Sequence, residues 1–210
     1  MTCRVVVLLS GRGSNFRAIA EAQLPIEIVA VISNRPQAGG LEYARERGIP
    51  AVALDHSVHP DREAFDALLA DEIERHRPDL VVLAGYMRIL STAFIARFED
   101  RLLNIHPSLL PMFPGLKTHE RALEEGVKIH GCTVHFVTPQ LDHGPIVIQA
   151  AVPVRADDTP DSLAARVLAQ EHRIYPQAIR WFAEGRLVKN HGRVNLRDDP
   201  ASQSVLTTGA

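Results

Sequence analysis

The chain has too few cysteines to be held together by them. Only two of its 210 residues are cysteine, Cys3 and Cys132, and they lack C-x-x-C spacing. That excludes a disulfide framework, a zinc knot and a dithiol redox pair. An excess of charge of one sign is also missing. Lysine and arginine number 23 against 25 acids, a formal net charge of -2, so a charged ligand has to be held by a local site rather than by the field of the whole molecule. No apolar run is long enough to cross a bilayer, and the run Val5 to Leu9 is too short for the core of a signal peptide. Internal repeats and low-complexity linkers are absent. These exclusions predict a cytoplasmic protein acting on small-molecule substrates, with no nucleic-acid and no membrane partner; they leave monomer and homodimer both open.

What the sequence does contain is a series of Val/Ile/Leu runs separated by amphipathic stretches. "RVVVLLS" (4–10), "IEIVAVISN" (26–34), "PAVALD" (50–55) and "DLVVLAG" (79–85) read as parallel strands buried on both faces. "SNFRAIAEAQ", "GGLEYARERG" and "DREAFDALLADEIERHR" between them have helical spacing. The order predicts an α/β fold: a single-domain, doubly wound, mostly parallel sheet with helices on both faces. "GCTVHFVT" and "GPIVIQAAVPV", joined by "PQLDHG", add an antiparallel C-terminal strand pair. A long helix follows, with Thr159 as N-cap and Pro160 at its first position. The domain is expected over 1–190 and a mobile tail over 191–210.

Candidate chemistry sits in three places. "LLSGRGSN" puts Gly11, Gly13, Ser14 and Asn15 at a strand-to-helix junction, a cradle for phosphate. Without a third glycine or a P-loop lysine it disfavours a dinucleotide and fits a phosphomonoester. The same residues would equally make a plain turn, with Ser14 or Asn15 capping the helix. In "LLNIHPSLLPMFPGLKTH", Asn104 and His106 alternate along a short strand, pairing an uncharged donor with a group that can take or give a proton, a combination suited to attack on a carbonyl; an imidazole bonded to backbone at a strand end, with no chemical role, is the plain alternative. Leu110–Pro111 is a candidate cis peptide. Asp142 occupies the turn between the antiparallel strands. His130 and Cys132 fall on one strand face and His135 on the other, which argues against metal ligation by the three unless the strand is bulged or begins later. Glu171 and His172 lie in the long helix, where a solvated face is the plain alternative.

Together these motifs, with "LAGYMRIL", "HFVTPQLDHGPIVIQ" and "QEHRIYP", resemble the folate-dependent formyltransferase family from about Arg4 to about Leu187. "SGRGSN" resembles the branch of that family acting on glycinamide ribonucleotide. The resemblance implies transfer of a formyl group from 10-formyltetrahydrofolate, as co-substrate and without a metal, to the glycinamide amine in purine biosynthesis. It implies Asn104, His106 and Asp142 as the catalytic set. Gly11, Gly13, Ser14 and Asn15 would hold the substrate phosphate, with Pro107 and Glu171 at its ribose and glycinamide parts. Arg62, Met87, Arg88, Ile89, Leu90, Asn104, Gln140 and Leu141 would contact the folate. His143 stands where the family often has glycine, which restricts positive φ in the loop beside Asp142. About twenty residues beyond the fold leave no room for the extra domain carried by the tRNA-formylating or formyltetrahydrofolate-hydrolysing branches. A non-catalytic nucleotide-binding module is the reading from outside the family.

Overall fold

The structure, a computed structural model, describes residues 2–197 and the backbone of 205–207. It resolves into two compact units. One holds the chain up to Asn104 with Val137–Pro139, the other Ile105–Phe136 with the chain from Gln140 onward.

The first unit alternates strand and helix as the apolar runs predict. β1 (Cys3–Leu9), α1 (Ser14–Glu21), β2 (Ile26–Ser33), α2 (Gly39–Glu46), β3 (Ala51–Ala53), α3 (Arg62–Arg75), β4 (Leu80–Leu83) and α4 (Thr92–Arg97) lead to β5 (Leu102–His106), which crosses into the second unit after Asn104. The strand order here is β5-β4-β1-β2-β3, all parallel. Val5 to Leu9 are fully buried, because successive side chains point to opposite faces and both faces are covered. Val6 and Leu8 pack with Phe65, Leu69 and Ile73 of α3 and Phe94 and Ile95 of α4. Leu9 lies against α2, where a Cβ on Gly40 would be 2.5 Å from Leu9 Cδ2. Each fully buried large side chain contributes about 1.5–3 kcal/mol. β1 is flanked by β2 on one side and β4 on the other. Such a reversal of strand order opens a crevice at the strands' C-terminal ends, where "SGRGSN" and "GYMRIL" begin.

In the second unit α5 (Thr118–Glu124), β6 (Ile129–Phe136), β7 (Ile146–Pro153) and α6 (Pro160–Ala183) follow. β6 and β7 pair antiparallel, with a register shift between Val134 and His135. α6 packs on both strands. Thr159 caps it by accepting the Ser162 N–H, Ser162 returns the bond to the Thr159 N–H, and Pro160 follows the cap. The expected tail begins inside structure: β8 (Leu187–Asn190) and β9 (Arg193–Leu196) form an antiparallel pair, and β10 (Val205–Thr207) pairs with β7. The rest of the expected tail, 198–204 and 208–210, lies outside the described residues. Neither α4 nor α5 was anticipated from the sequence; both are short, and their apolar residues are too few to show a period. The Leu110–Pro111 peptide is cis. No helix among the described residues is long and apolar enough to cross a membrane.

Gly131 marks the tightest point of the β6–β7 pair. A Cβ there would lie 2.0 Å from the Ala150 carbonyl oxygen and 2.9 Å from Leu109 Cδ2. Gly131→Ala is therefore expected to destabilise the protein by at least about 3 kcal/mol, the upper end for overpacking. Equilibrium urea unfolding checks this, and a loss under about 1 kcal/mol would contradict the packing.

Candidate active site

At the end of β1 the chain turns through Gly13, whose φ of 76° is in the left-handed region. Gly13 is the N-cap of α1 and no side chain caps the helix, so Ser14 and Asn15 do not play the capping role open to them from sequence. A Cβ on Gly13 would meet the Gly40 Cα at 3.0 Å, and the Gly40 N–H donates to the Gly11 carbonyl at 3.1 Å. The turn before α1 is thus shaped by the close approach of the Gly40 backbone.

Beside it, the loop after β4 carries Met87, Arg88, Ile89 and Leu90. Met87 and Ile89 are exposed at 59% and 57%, whereas Leu90 is buried in the core. Leu90 can therefore offer a ligand main-chain groups only. The Arg88 guanidinium lies 4.9 Å over the Phe65 ring. Arg62, at the start of α3, is exposed and pairs with Glu63 at 2.8 Å.

The second unit gathers His106 and Asp142, 36 positions apart in sequence. His106 is buried, and its Nε2 donates to the Phe113 carbonyl at 2.9 Å. Its Nδ1 lies 3.4 Å from Asp142 Oδ2, longer than a strong charge-assisted bond, so this nitrogen stays available to a ligand oxygen. Asp142 Oδ2 also accepts the Gly115 N–H at 2.8 Å. The positive φ in this turn falls on Asp142 itself, at 51°, and His143 does not have to supply it. Aspartate tolerates that region better than most residues.

Sequence reasoning missed His135. Its Nε2 lies 3.9 Å from Asp142 Oδ1, and its Nδ1 donates to the Phe136 carbonyl at 2.9 Å. Burial pushes the imidazole below its ordinary value, offset in part by that carbonyl and by the Asp142 charge. The neutral ring then turns an acceptor nitrogen toward Asp142. β6 is buried from His130 to Phe136, so no alternation of polarity along the strand marks His135. His130 has a different partner, its Nε2 lying 3.2 Å from His119 Nδ1. No cluster of three or more potential metal ligands occurs among the described residues.

The proline-rich segment after His106 is tied down by a buried network. Thr133 Oγ1 donates to the Ser108 carbonyl at 2.7 Å and accepts the Leu110 N–H at 3.0 Å, and Gln149 Nε2 donates to the Leu110 carbonyl at 2.9 Å. Ser108 Oγ donates to the Met112 carbonyl at 2.6 Å. Glu171 is buried on α6 despite its charge, and that charge, after burial, raises the Cys132 thiol. The solvated-face alternative for Glu171 is thereby excluded. Pro107 is half-buried, Gln140 and Leu141 are exposed, and Asn104 stands opposite Leu83 in the β4–β5 register.

A profile of the formyl transferase family matches residues 3–179. The chain belongs to that family. It is 54% identical over 187 residues to the phosphoribosylglycinamide formyltransferase of Escherichia coli K12, covering 87% of this chain and 88% of that one. Among solved structures it is similar to glycinamide ribonucleotide transformylase 1 from Symbiobacterium toebii, with a TM-score of 0.91 and 52% identity over 94% of this chain and 95% of that one. The phosphoribosylglycinamide formyltransferase of Coxiella burnetii matches with a TM-score of 0.92 and 45% identity over the full length of both.

Burial pushes His130 down to about 4, helped by the neighbouring His119 and His106. Between its unfolded value of about 6.5 and that value the unfolded chain holds a proton that the folded one does not. The contribution to stability is therefore complete above about pH 6.5 and is lost as pH falls toward about 4. Urea unfolding across this window should show a shallower loss for His130→Asn than for the unaltered protein. Identical slopes would mean that His130 is not buried in its neutral form.

Proposed function

We propose that this chain transfers the formyl group of 10-formyltetrahydrofolate to the amine of glycinamide ribonucleotide, a step of purine biosynthesis. The observation that carries the reading is the His106–Asp142–Gly115 arrangement, found in a family member whose similar relatives are glycinamide ribonucleotide formyltransferases.

In this reading the backbone turn Gly11–Asn15 receives the ribonucleotide phosphate, and Pro107 and Glu171 border its ribose and glycinamide. Met87 and Ile89 supply an apolar wall for the folate ring, the main chain from Arg88 to Leu90 reads its edge, and Arg62, Gln140 and Leu141 contact its remaining parts. The amine attacks the formyl carbon, and the carbonyl oxygen becomes an oxyanion. The Asn104 amide N–H and His106 Nδ1–H donate to it. With Nε2 committed to the Phe113 carbonyl, Nδ1 is the only His106 nitrogen left for this task, and it lies 3.4 Å from Asp142 Oδ2. The amine gives up a proton and the folate nitrogen N10 takes one as the C–N10 bond breaks, so the reaction balances with no further reagent. Asp142, whose Oδ1 lies 3.9 Å from His135 Nε2, assists that transfer.

The deciding assay follows formyl transfer from 10-formyltetrahydrofolate with and without glycinamide ribonucleotide. Transfer only in its presence supports the proposal; formate release without it would support a hydrolase, and binding without turnover a non-catalytic module. Asn104→Ala should lower kcat by about 10²–10³ at every pH, as the loss of an oxyanion donor does. Asp142→Asn should also lower kcat. Because the Asp142 charge raises His135, its removal should shift the His135 NMR titration further down. A His135 titration that does not move would separate the two residues and sink this part of the mechanism.

A further inference from the structure

Two buried side-chain oxygens hold the loop between β4 and α4 from its opposite ends. At its start, Ser10 Oγ accepts the Met87 N–H at 2.8 Å and donates to Asn34 Oδ1 at 2.5 Å, while the Ser10 N–H donates to the Gly85 carbonyl at 3.1 Å. At its end, Asp66 Oδ2 on α3 accepts the Ser91 N–H at 2.6 Å, and Ser91 Oγ caps α4 by accepting the Phe94 N–H at 3.3 Å. Ser10 is 3% exposed and Asp66 only 1%. Between these two points the loop turns Met87 and Ile89 outward and seats Leu90 in the core.

Asp66 is a poor choice for stability alone. Its second carboxylate oxygen, Oδ1, is buried without a hydrogen-bond partner among the described residues, as is the nearby Tyr86 hydroxyl. Burying an acid with one oxygen unsatisfied destabilises a fold, and an apolar residue of similar size would pack there without that penalty. The Asp66 charge also reaches the loop, raising the Tyr86 phenol beyond what its burial does. What Asp66 supplies that an apolar residue cannot is an acceptor aimed at the last amide of the loop. Ser10 supplies the same to the first, from the residue immediately before the phosphate turn.

We propose that Ser10 and Asp66 are positioning residues for the formyl donor: they touch neither substrate, and they fix the main chain of Met87–Leu90 in the conformation that receives the folate ring. The proposal rests on the reading of this loop as the folate contact. It accounts for an otherwise unfavourable buried acid, and it ties the loop at one end to the strand that leads into the phosphate turn.

The test has two stages, so that failure of the underlying reading is told apart from failure of the proposal. Hydrogen exchange on the unaltered protein with a saturating folate analogue should protect the amides of 87–90; absence of protection there removes the reading and the proposal with it. With protection established, Ser10→Ala and Asp66→Ala should each raise the KM for 10-formyltetrahydrofolate about tenfold, as loss of one well-placed hydrogen bond does, with the KM for glycinamide ribonucleotide changed by less than about twofold. The amides of Met87 and Ser91 should exchange faster in the unliganded variants. Asp66→Asn and Ser10→Thr keep an oxygen acceptor and should restore the KM. An unchanged donor KM in both alanine variants, an equal rise in both KM values, or an asparagine variant as impaired as the alanine one would overturn the proposal. Where Asp66→Ala does not fold, Ser10→Ala and Ser10→Thr decide it by the same comparison.

Discussion

The bond from the Gly115 amide to the Asp142 carboxylate is the constraint on which the second unit's chemistry depends. It brings the far end of the proline-rich segment back to the acid that faces His106, while the Phe113 carbonyl takes the other side of the same ring. The segment therefore starts at the imidazole and returns to it. Prolines at 107, 111 and 114 limit the conformations it could otherwise explore. Thr133 and Gln149 bond its middle to β6 and β7. In the proposed mechanism a donor fixed in this way needs no reorganisation when negative charge develops on a substrate oxygen, which is where such sites gain most of their rate.

In the proposed function the first unit has a separate task, the holding of ligands by backbone. Its two loops leave the C-terminal ends of adjacent parallel strands, β1 and β4. Gly13 sets a left-handed turn before α1, which no side chain caps, and the loop after β4 exposes Met87 and Ile89. The two loops are bonded to each other through Ser10, so the turn proposed for the phosphate and the loop proposed for the folate ring have a shared support.

Much of this was legible in the residues. Unbroken apolar runs gave the parallel strands because burial on both faces leaves no other pattern, and Thr159–Pro160 marked the start of α6 by its chemistry. Asn104 and His106 stood out through their spacing before a proline. Asp142 as a lone turn acid did not, and only the resemblance to a family raised it. His135 was hidden for a physical reason: β6 is buried on both faces, so its histidines look alike from sequence and only their partners distinguish them. Ser10 and Asp66 were hidden because each looks ordinary, one as the last residue of a strand run and the other as an acid in a charged helix. The β8–β9 pair escaped because strands of four residues carry too little alternation to read.

The left-handed backbone at Asp142 narrows the set of residues that the turn can accept. Glycine fits the conformation but brings no side chain. Asparagine fits it and can still accept the Gly115 amide, but it carries no charge. Glutamate carries the charge on a longer arm and gains nothing from the local hydrogen bonding that lets aspartate and asparagine sit at positive φ. In the proposed mechanism shape and charge thus filter this position independently, and aspartate meets both with the least backbone strain.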